Sequence, residues 1–334
     1  MSTVKPTHAI SFALVLILSV ASPAKTDPPA LQLVECRRIW DQAPHNAFTD
    51  LIRFQDRWYC VFREGKGHVS PDGSLRVITS ADGKDWQSAA LISSPTSDLR
   101  DAKITITPDG KLMLAGAEAI NKPTTHRHQS LVWFSDDGRT WNEKHEVGSR
   151  DNWLWRITWH KGKAYGFGYG TKNNRGLTLF CSDDGKTFQP LIEKVDVEGT
   201  YPNETSMLFL ADDTCLCLLR QDGKPNSGYL GTSRPPYTRW TWKQLDRQIG
   251  GPHMIRLPDG RLLAAVRLYD KPVRTSLCWL DADKGTLSEA LRLPSGGDTS
   301  YAGLVWHDGL LWVSYYSSHE GKTAIYLAKV KVAP

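Results

Sequence analysis

Long apolar runs are scarce in this chain of 334 residues. The one notable stretch, Ala9–Val20, is twelve residues long, and a helix needs about 20 to cross a bilayer. A membrane span is therefore excluded. Basic runs are missing too: Lys+Arg is 41 against Asp+Glu 36, a formal charge of +5, with the cations scattered singly. A nucleic-acid surface would cluster them. There is no Gly-X-Y period and no Ala/Glu/Lys/Leu bias, and a 40% hydrophobic content excludes disorder. The six cysteines follow no zinc spacing and no phosphate-cradling loop occurs, so neither a metal nor an organic cofactor is expected. Methionine is rare, at 4 residues, whereas tryptophan reaches 13, with 11 Tyr and 9 Phe. So many flat rings either pack sheet on sheet or stack on a ligand.

The N-terminus reads as an address. Lys5 and His8 precede the run Ala9–Val20, and Ala21, Ser22 and Ala24 follow it. That is the order of a secretory signal. Residues 1–24 are expected to be a cleaved signal peptide, 25–42 an N-terminal extension, and 43–334 the functional unit, exported to the periplasm or beyond the cell. Export permits disulfides, yet a chain of this size can bury a sufficient core without them. The cysteines read as free thiols.

One pattern recurs along the whole mature chain. LIRFQDRWYCVF, ITITPDGKLMLAG, ITWHKGKAYGFG, LFLADDTCLCLL, IRLPDGRLLAAV and LVWHDGLLWVSY each pair two apolar runs across a short polar turn. The turns centre on Asp56, Asp109, Lys161, Asp212, Asp259 and Asp308. Each unit is a strand, a hairpin turn and a second strand. Six such units at a nearly constant spacing predict an all-β chain, a six-bladed β-propeller. A sandwich seldom repeats one turn chemistry so evenly.

A second motif falls once in each of the first three units. It reads Ser80-Ala-Asp82-Gly83-Lys-Asp-Trp86, Ser135-Asp-Asp137-Gly138-Arg-Thr-Trp141 and Ser182-Asp-Asp184-Gly185-Lys-Thr-Phe188. The aspartate can cap turn amides, the glycine supplies a positive φ, and the ring packs between sheets. These boxes resemble the Asp-boxes of the sialidase (neuraminidase) superfamily, whose catalytic domain is a six-bladed propeller. The resemblance spans about Ala43 to Val330, although each box is one residue tighter than the usual spacing and the third ends in Phe188. Boxes alone stabilise hairpins, so function has to come from the site.

Since the hairpin turns mark one end of every blade, the start of each first strand and the end of each second strand lie at the other. Six residues into the second strands stand Arg63, Ala117, Tyr169, Arg220, Arg267 and Tyr316; entering the first strands are Asp101, Glu204, His253 and Tyr301. Three arginines in one column suit a ligand bearing a carboxylate, which guanidinium forks grip in bidentate fashion. The plainer alternative is that each arginine pairs with a neighbouring acid such as Glu64 or Asp222. Trp153, Trp155 and Tyr169 suit stacking on a sugar face.

The resemblance implies roles. Sialidases use a tyrosine nucleophile assisted by glutamate, and a neutral nucleophile suits an anomeric carbon that carries a carboxylate. Tyr301, in Thr299-Ser-Tyr-Ala-Gly-Leu304, looks like that tyrosine, and Glu204, in Tyr201-Pro-Asn-Glu-Thr205, like its partner. Arg220 and Arg267 resemble members of the family's arginine triad, Arg63 another common arginine, and Asp101 the aspartate on the acyl-amino side. Two departures stand out. The first triad arginine is missing from Ala47-Phe-Thr-Asp50, which leaves a two-armed clamp unless Arg63 or Arg156 turns inward. The loop that should bear an aspartate as general acid reads Glu64-Gly-Lys-Gly-His-Val-Ser-Pro-Asp-Gly73; His68 lies nearest the expected place, with Asp72 as the alternative. The expected activity is exo-cleavage of a terminal sialic acid or related acidic sugar from a glycan or glycoconjugate by a monomer. The alternatives are a non-catalytic glycan-binding propeller and a polysaccharide lyase acting on uronates.

Overall fold

A computed structural model describes residues 1–3, 30–171 and 175–333. The expected signal segment lies almost wholly outside the described residues. No helix occurs among those described, hence none long and apolar enough to cross a membrane. All regular structure is β, gathered into six antiparallel sheets.

Each sheet is one blade. Blade 1 is His45–Phe54, Arg57–Gly65, Ser74–Ser80 and Gln87–Ile92. Blade 2 is Ser97–Ile106, Leu112–Ile120, His128–Ser135 and His145–Val147. In blade 3 the first strand is split into Asn152–Leu154 and Thr158–His160, both paired with Lys163–Gly170, beyond which lie Leu177–Ser182 and Gln189–Ile192. Blade 4 is Pro202–Phe209, Cys215–Gln221, Tyr229–Ser233 and Trp240–Gln244; blade 5 is Ile249–Arg256, Leu262–Leu268, Arg274–Asp281 and Thr286–Arg292. Blade 6 is Thr299–His307, Leu310–Ser317 and Ala324–Val332. Its outermost strand comes from the other end of the chain: Leu31–Trp40 pairs along Ala324–Val332. The expected separate extension over 25–42 is therefore corrected. Within it Leu31–Trp40 close the ring, because the last blade would otherwise expose an unpaired edge.

The hairpin turns fall where the repeat placed them, each joining the first and second strands of a blade. The three boxes join third to fourth strands. In each, the serine hydroxyl accepts the glycine N–H and the aspartate accepts the next two backbone N–H groups, at 2.8–3.1 Å. Each box glycine also abuts the second strand of the preceding blade. A Cβ would meet Trp312 at Gly83, Tyr59 at Gly138, and Met113, besides Trp159, at Gly185. Between consecutive blades lie six apolar clusters, and Trp58 stacks on Trp312 at 4.2 Å where blades 1 and 6 meet. The tryptophan excess is thus largely spent on packing blade against blade. All six cysteines are free, four of them buried.

One irregularity recurs on the axial strands. The first strand shifts register against the second between Ala47 and Asp50, Arg100 and Lys103, Pro202 and Thr205, Gly250 and His253, and Ser300 and Gly303. In blade 3 the same level is the break between Leu154 and Thr158. Positive φ accompanies it at Phe48 (65°), Asp101 (57°), Gly251 (54°) and Tyr301 (53°). Bulges re-aim side chains, and a ring of them at one height sets the floor of a funnel. Non-glycine residues held in the left-handed region are strained, and such strain collects at functional sites.

Candidate active site

The bulges present Phe48, Asp101, Glu204 and Tyr301 at the mouth, and the second strands bring Tyr169, Arg220, Arg267 and Tyr316 beside them. At the centre the Tyr301 hydroxyl donates to Glu204 Oε1 at 2.5 Å. Arg220 Nη1 donates to the same oxygen at 2.8 Å and reaches the Tyr301 oxygen at 3.2 Å. Glu204 Oε2 accepts the Gly251 N–H at 2.8 Å. Burial alone would raise the Glu204 carboxyl, but Arg220 and the hydrogen bonds from Tyr301 and Gly251 outweigh it and leave it below its ordinary range. Burial, reinforced by the Glu204 charge, pushes the Tyr301 phenol well up. The pair is therefore a protonated phenol on a carboxylate, the arrangement in which a base can take the proton as the oxygen attacks.

Arg267 donates from Nε to the Thr299 carbonyl at 2.7 Å and from Nη2 to the Tyr316 hydroxyl at 3.0 Å, with its guanidinium 5.4 Å from the Tyr301 ring. Arg220 is more fully engaged, since Asp222 takes its Nε and Nη2 at 3.1 and 3.0 Å. The neighbouring-acid alternative thus holds for Arg220, whose charge faces two carboxylates. Asp101 is half-buried; desolvation raises its carboxyl against the pull of Arg100 and Lys103.

Three sequence-predicted site residues lie elsewhere. Arg63 is fully buried, and its donors go to Asp98 Oδ1 (2.8 Å), the Gly67 carbonyl (2.8 Å) and Ser70. It anchors the loop that carries His68 and meets no ligand. Its expected partner Glu64 pairs instead with Arg76 and Trp40. Arg156 turns inward, yet its charge is spent on Asp50 at 2.7 Å, beneath the floor. Asp72 is exposed; its carboxylate accepts only from its own loop, at Lys66 N–H, as a turn former does. Trp155 is corrected in part: it is buried behind Tyr301 and Tyr169, at 5.8 and 6.3 Å, and forms wall in place of an open stacking surface. Tyr169 remains half-buried at the mouth, stacked on Trp153.

His68 does reach the mouth. Its side chain is 49% exposed, its ring packs edgewise on Phe48 at 5.1 Å, and Nδ1 lies 2.7 Å from Asp298 Oδ2. Asp298 also takes His45 Nε2 at 3.2 Å and the Tyr316 hydroxyl at 2.6 Å. Burial would raise its carboxyl, but these donors hold it far below the usual range. An imidazole anchored by a buried-side carboxylate is oriented for proton transfer.

Several residues here escaped the sequence. Phe48, in the stretch where the resemblance led one to expect an arginine, packs edgewise on Tyr301 at 5.1 Å and Tyr316 at 5.4 Å. Arg100 lies over the Phe48 ring at 5.4 Å; among the described residues it has no ion pair or hydrogen bond, and its Nε is buried unpaired. Under the floor, Lys103 is 3% exposed, 5.8 Å from the Tyr301 ring, and brought down to about 8 by burial and by Arg156. A signal existed for this lower layer, as Asp50, Lys103 and His253 all stand two residues past the bulge; His253, expected at the mouth, is thereby corrected to the layer beneath it. His253 is likewise held by burial at about 3, neutral, against the Ala302 carbonyl. Asp298 and His45 offered no such signal, being far apart in sequence and outside the repeated columns.

No protein-family model and no curated protein matches the chain. Solved structures do match in fold. A protein of unknown function from Dyadobacter fermentans superposes with a TM-score of 0.80 at 21% identity, over 91% of this chain and 100% of that one. An alpha-L-arabinofuranosidase from Fusarium graminearum gives 0.69 at 14%, over 90% and 98%. The sialidase of Trypanosoma rangeli gives 0.69 at 13%, over 90% of this chain and 59% of that chain. The six-bladed propeller expected from the repeat is thus the fold that sialidases and an arabinofuranosidase share with this chain.

Proposed function

We propose that the chain is a glycoside hydrolase of the sialidase type, releasing a terminal acidic sugar with retention of configuration. The observation that carries this reading is the buried Tyr301–Glu204 pair at 2.5 Å, braced by Arg220. Tyr301 attacks the anomeric carbon while Glu204 takes its proton. Arg220 keeps the carboxylate ionised and the two oxygens in register. His68, held by Asp298, protonates the departing glycosidic oxygen, then deprotonates the water that frees the sugar from Tyr301. The glycone's carboxylate is received by Arg267 and Arg100, with Arg220 behind them. Phe48, where a third clamp arginine was expected, is a buried ring beneath His68 and Arg100 and offers the carboxylate no third arm. Hydrolase propellers among the structural neighbours support the class of chemistry; sialic acid and its close relatives are the glycones to try first.

The test is release from fluorogenic glycosides of sialic acid and related acidic sugars, run beside Tyr301→Phe and Glu204→Gln. A fluorinated, activated form of the sugar that is released should trap a covalent adduct on the peptide containing Tyr301. Binding of acidic glycans without release by any variant would make the chain a glycan-binding propeller. An unsaturated, ultraviolet-absorbing product would make it a lyase.

A further inference from the structure

We infer that His45, His68 and Asp298 form a binding site for one divalent transition-metal ion of the zinc class at the rim of the funnel. His45 Nε2, His68 Nδ1 and an Asp298 oxygen all lie within 4.8 Å of one another. They arrive from the first strand of blade 1, the loop after its second strand, and the turn before blade 6. Two imidazoles converge on a single oxygen, Asp298 Oδ2, at 3.2 and 2.7 Å. Two N–H donors crowding one acceptor is an arrangement that a single cation replaces well, since it attracts all three groups at once.

Neutral imidazole and carboxylate are the ligands zinc takes, at about 2.0–2.2 Å in tetrahedral geometry. Donors then stand roughly 3.3–3.5 Å apart by the same geometry. The His45–Asp298 spacing already approaches that, and the His68 loop has to retreat by about half an ångström to match it. The surroundings are those of a supported site. Tyr316 donates to the other Asp298 oxygen at 2.6 Å, and Phe48 packs against both imidazoles, at 6.3 and 5.1 Å. His45 is buried, while the half-exposed His68 leaves the ion a way in and a fourth position for water. Arg267 Nη2, 3.8 Å from Asp298 Oδ1, opposes a dication, and the Nδ1 of His45 has no partner to steady it. Both weaken the site and make binding reversible. Binding would engage the nitrogen through which Asp298 holds His68, so zinc becomes an inhibitor that competes with protons. That consequence rests on the role proposed for His68; metal binding itself does not.

Zinc chloride alone, titrated into the full chain by calorimetry near pH 7.5, should bind at one ion per chain. Cobalt(II) should give the intensified visible absorption of a low-coordinate site. Both should weaken by at least about tenfold in His45→Ala and in His68→Ala. The second variant lies on a half-exposed loop, so an unchanged thermal melt shows that the loss is local. Absence of a one-to-one isotherm, or an isotherm that both variants leave unaltered, overturns the site. Where glycoside release is found, zinc should suppress it in wild type. A chain that binds zinc but releases nothing would sink the hydrolase reading and leave the metal site standing.

Discussion

The two ends of the propeller use aspartate in opposite ways. On the turn face Asp82, Asp137 and Asp184 repeat one geometry: each is exposed, accepts two backbone N–H groups and sits below its ordinary carboxyl range. Around the funnel and under its floor, Asp50, Asp101 and Asp298 share no geometry. One is buried on Arg156, one is raised by desolvation on a strained backbone, and one holds two histidines. Repetition marks residues that build blades, whereas the residues gathered at the funnel occur once, because a funnel has one axis.

That contrast can be broken by substitution. The largest effect is expected at Tyr301→Phe and Glu204→Gln: a loss on the order of 10³-fold or more in kcat/KM, with melting shifted little. Equal losses of stability and activity would mean the pair is merely structural. Arg63→Met comes next. Although it shares a column with Arg220 and Arg267, it should cost about 3–5 kcal/mol in urea unfolding, because Asp98 is left buried and unpaired. A changed KM with unchanged stability would return Arg63 to the ligand site.

Gly138→Ala tests the turn face. The position has φ 69°, and the added methyl would come within 2.3 Å of the Tyr59 ring. A destabilisation of about 1–3 kcal/mol is expected, with kcat/KM preserved in the folded fraction. For pH, His253 is neutral in the fold at about 3 and titrates near 6.5 when unfolded. The unfolded state binds the extra proton, so this stability is intact above about pH 6.5 and lost as pH falls toward 3. His253→Gln should flatten the urea-midpoint profile across that window by up to one proton, about 1.4 kcal/mol per pH unit. Smallest is Asp184→Ala, whose box keeps its serine and glycine contacts: a melting decrease of no more than about 3 °C, with activity unchanged.

How much could be read before the fold was known follows the same division. The hairpin turns and the boxes were legible because local chemistry writes them: Gly and Asp at fixed offsets specify a turn wherever they stand. Tyr301 and Glu204 could be set near the mouth because each enters a first strand, and only the resemblance singled them out as a pair. Arg63 was misplaced because a column predicts the height of a side chain and says nothing of its direction. Its guanidinium turned to Asp98 and the loop carbonyls. Trp155 was misjudged for a related reason, as a large ring near a mouth is equally suited to being its wall. Arg100, His45 and Asp298 were invisible, since nothing in their local sequence distinguishes them from surface residues.

By itself the sequence determined the number of blades, the position of every hairpin and the box turns. All of these depend on backbone geometry within a dozen residues. The tertiary structure alone decided that the N-terminal strand closes blade 6, that Phe48 is buried beneath His68 and Arg100, and that His45, His68 and Asp298 meet. Those outcomes join residues as far as 301 positions apart, such as Leu31 and Val332 across the closing strands. Only closure of the ring, driven by burying the faces of consecutive blades, brings such residues within reach of one another.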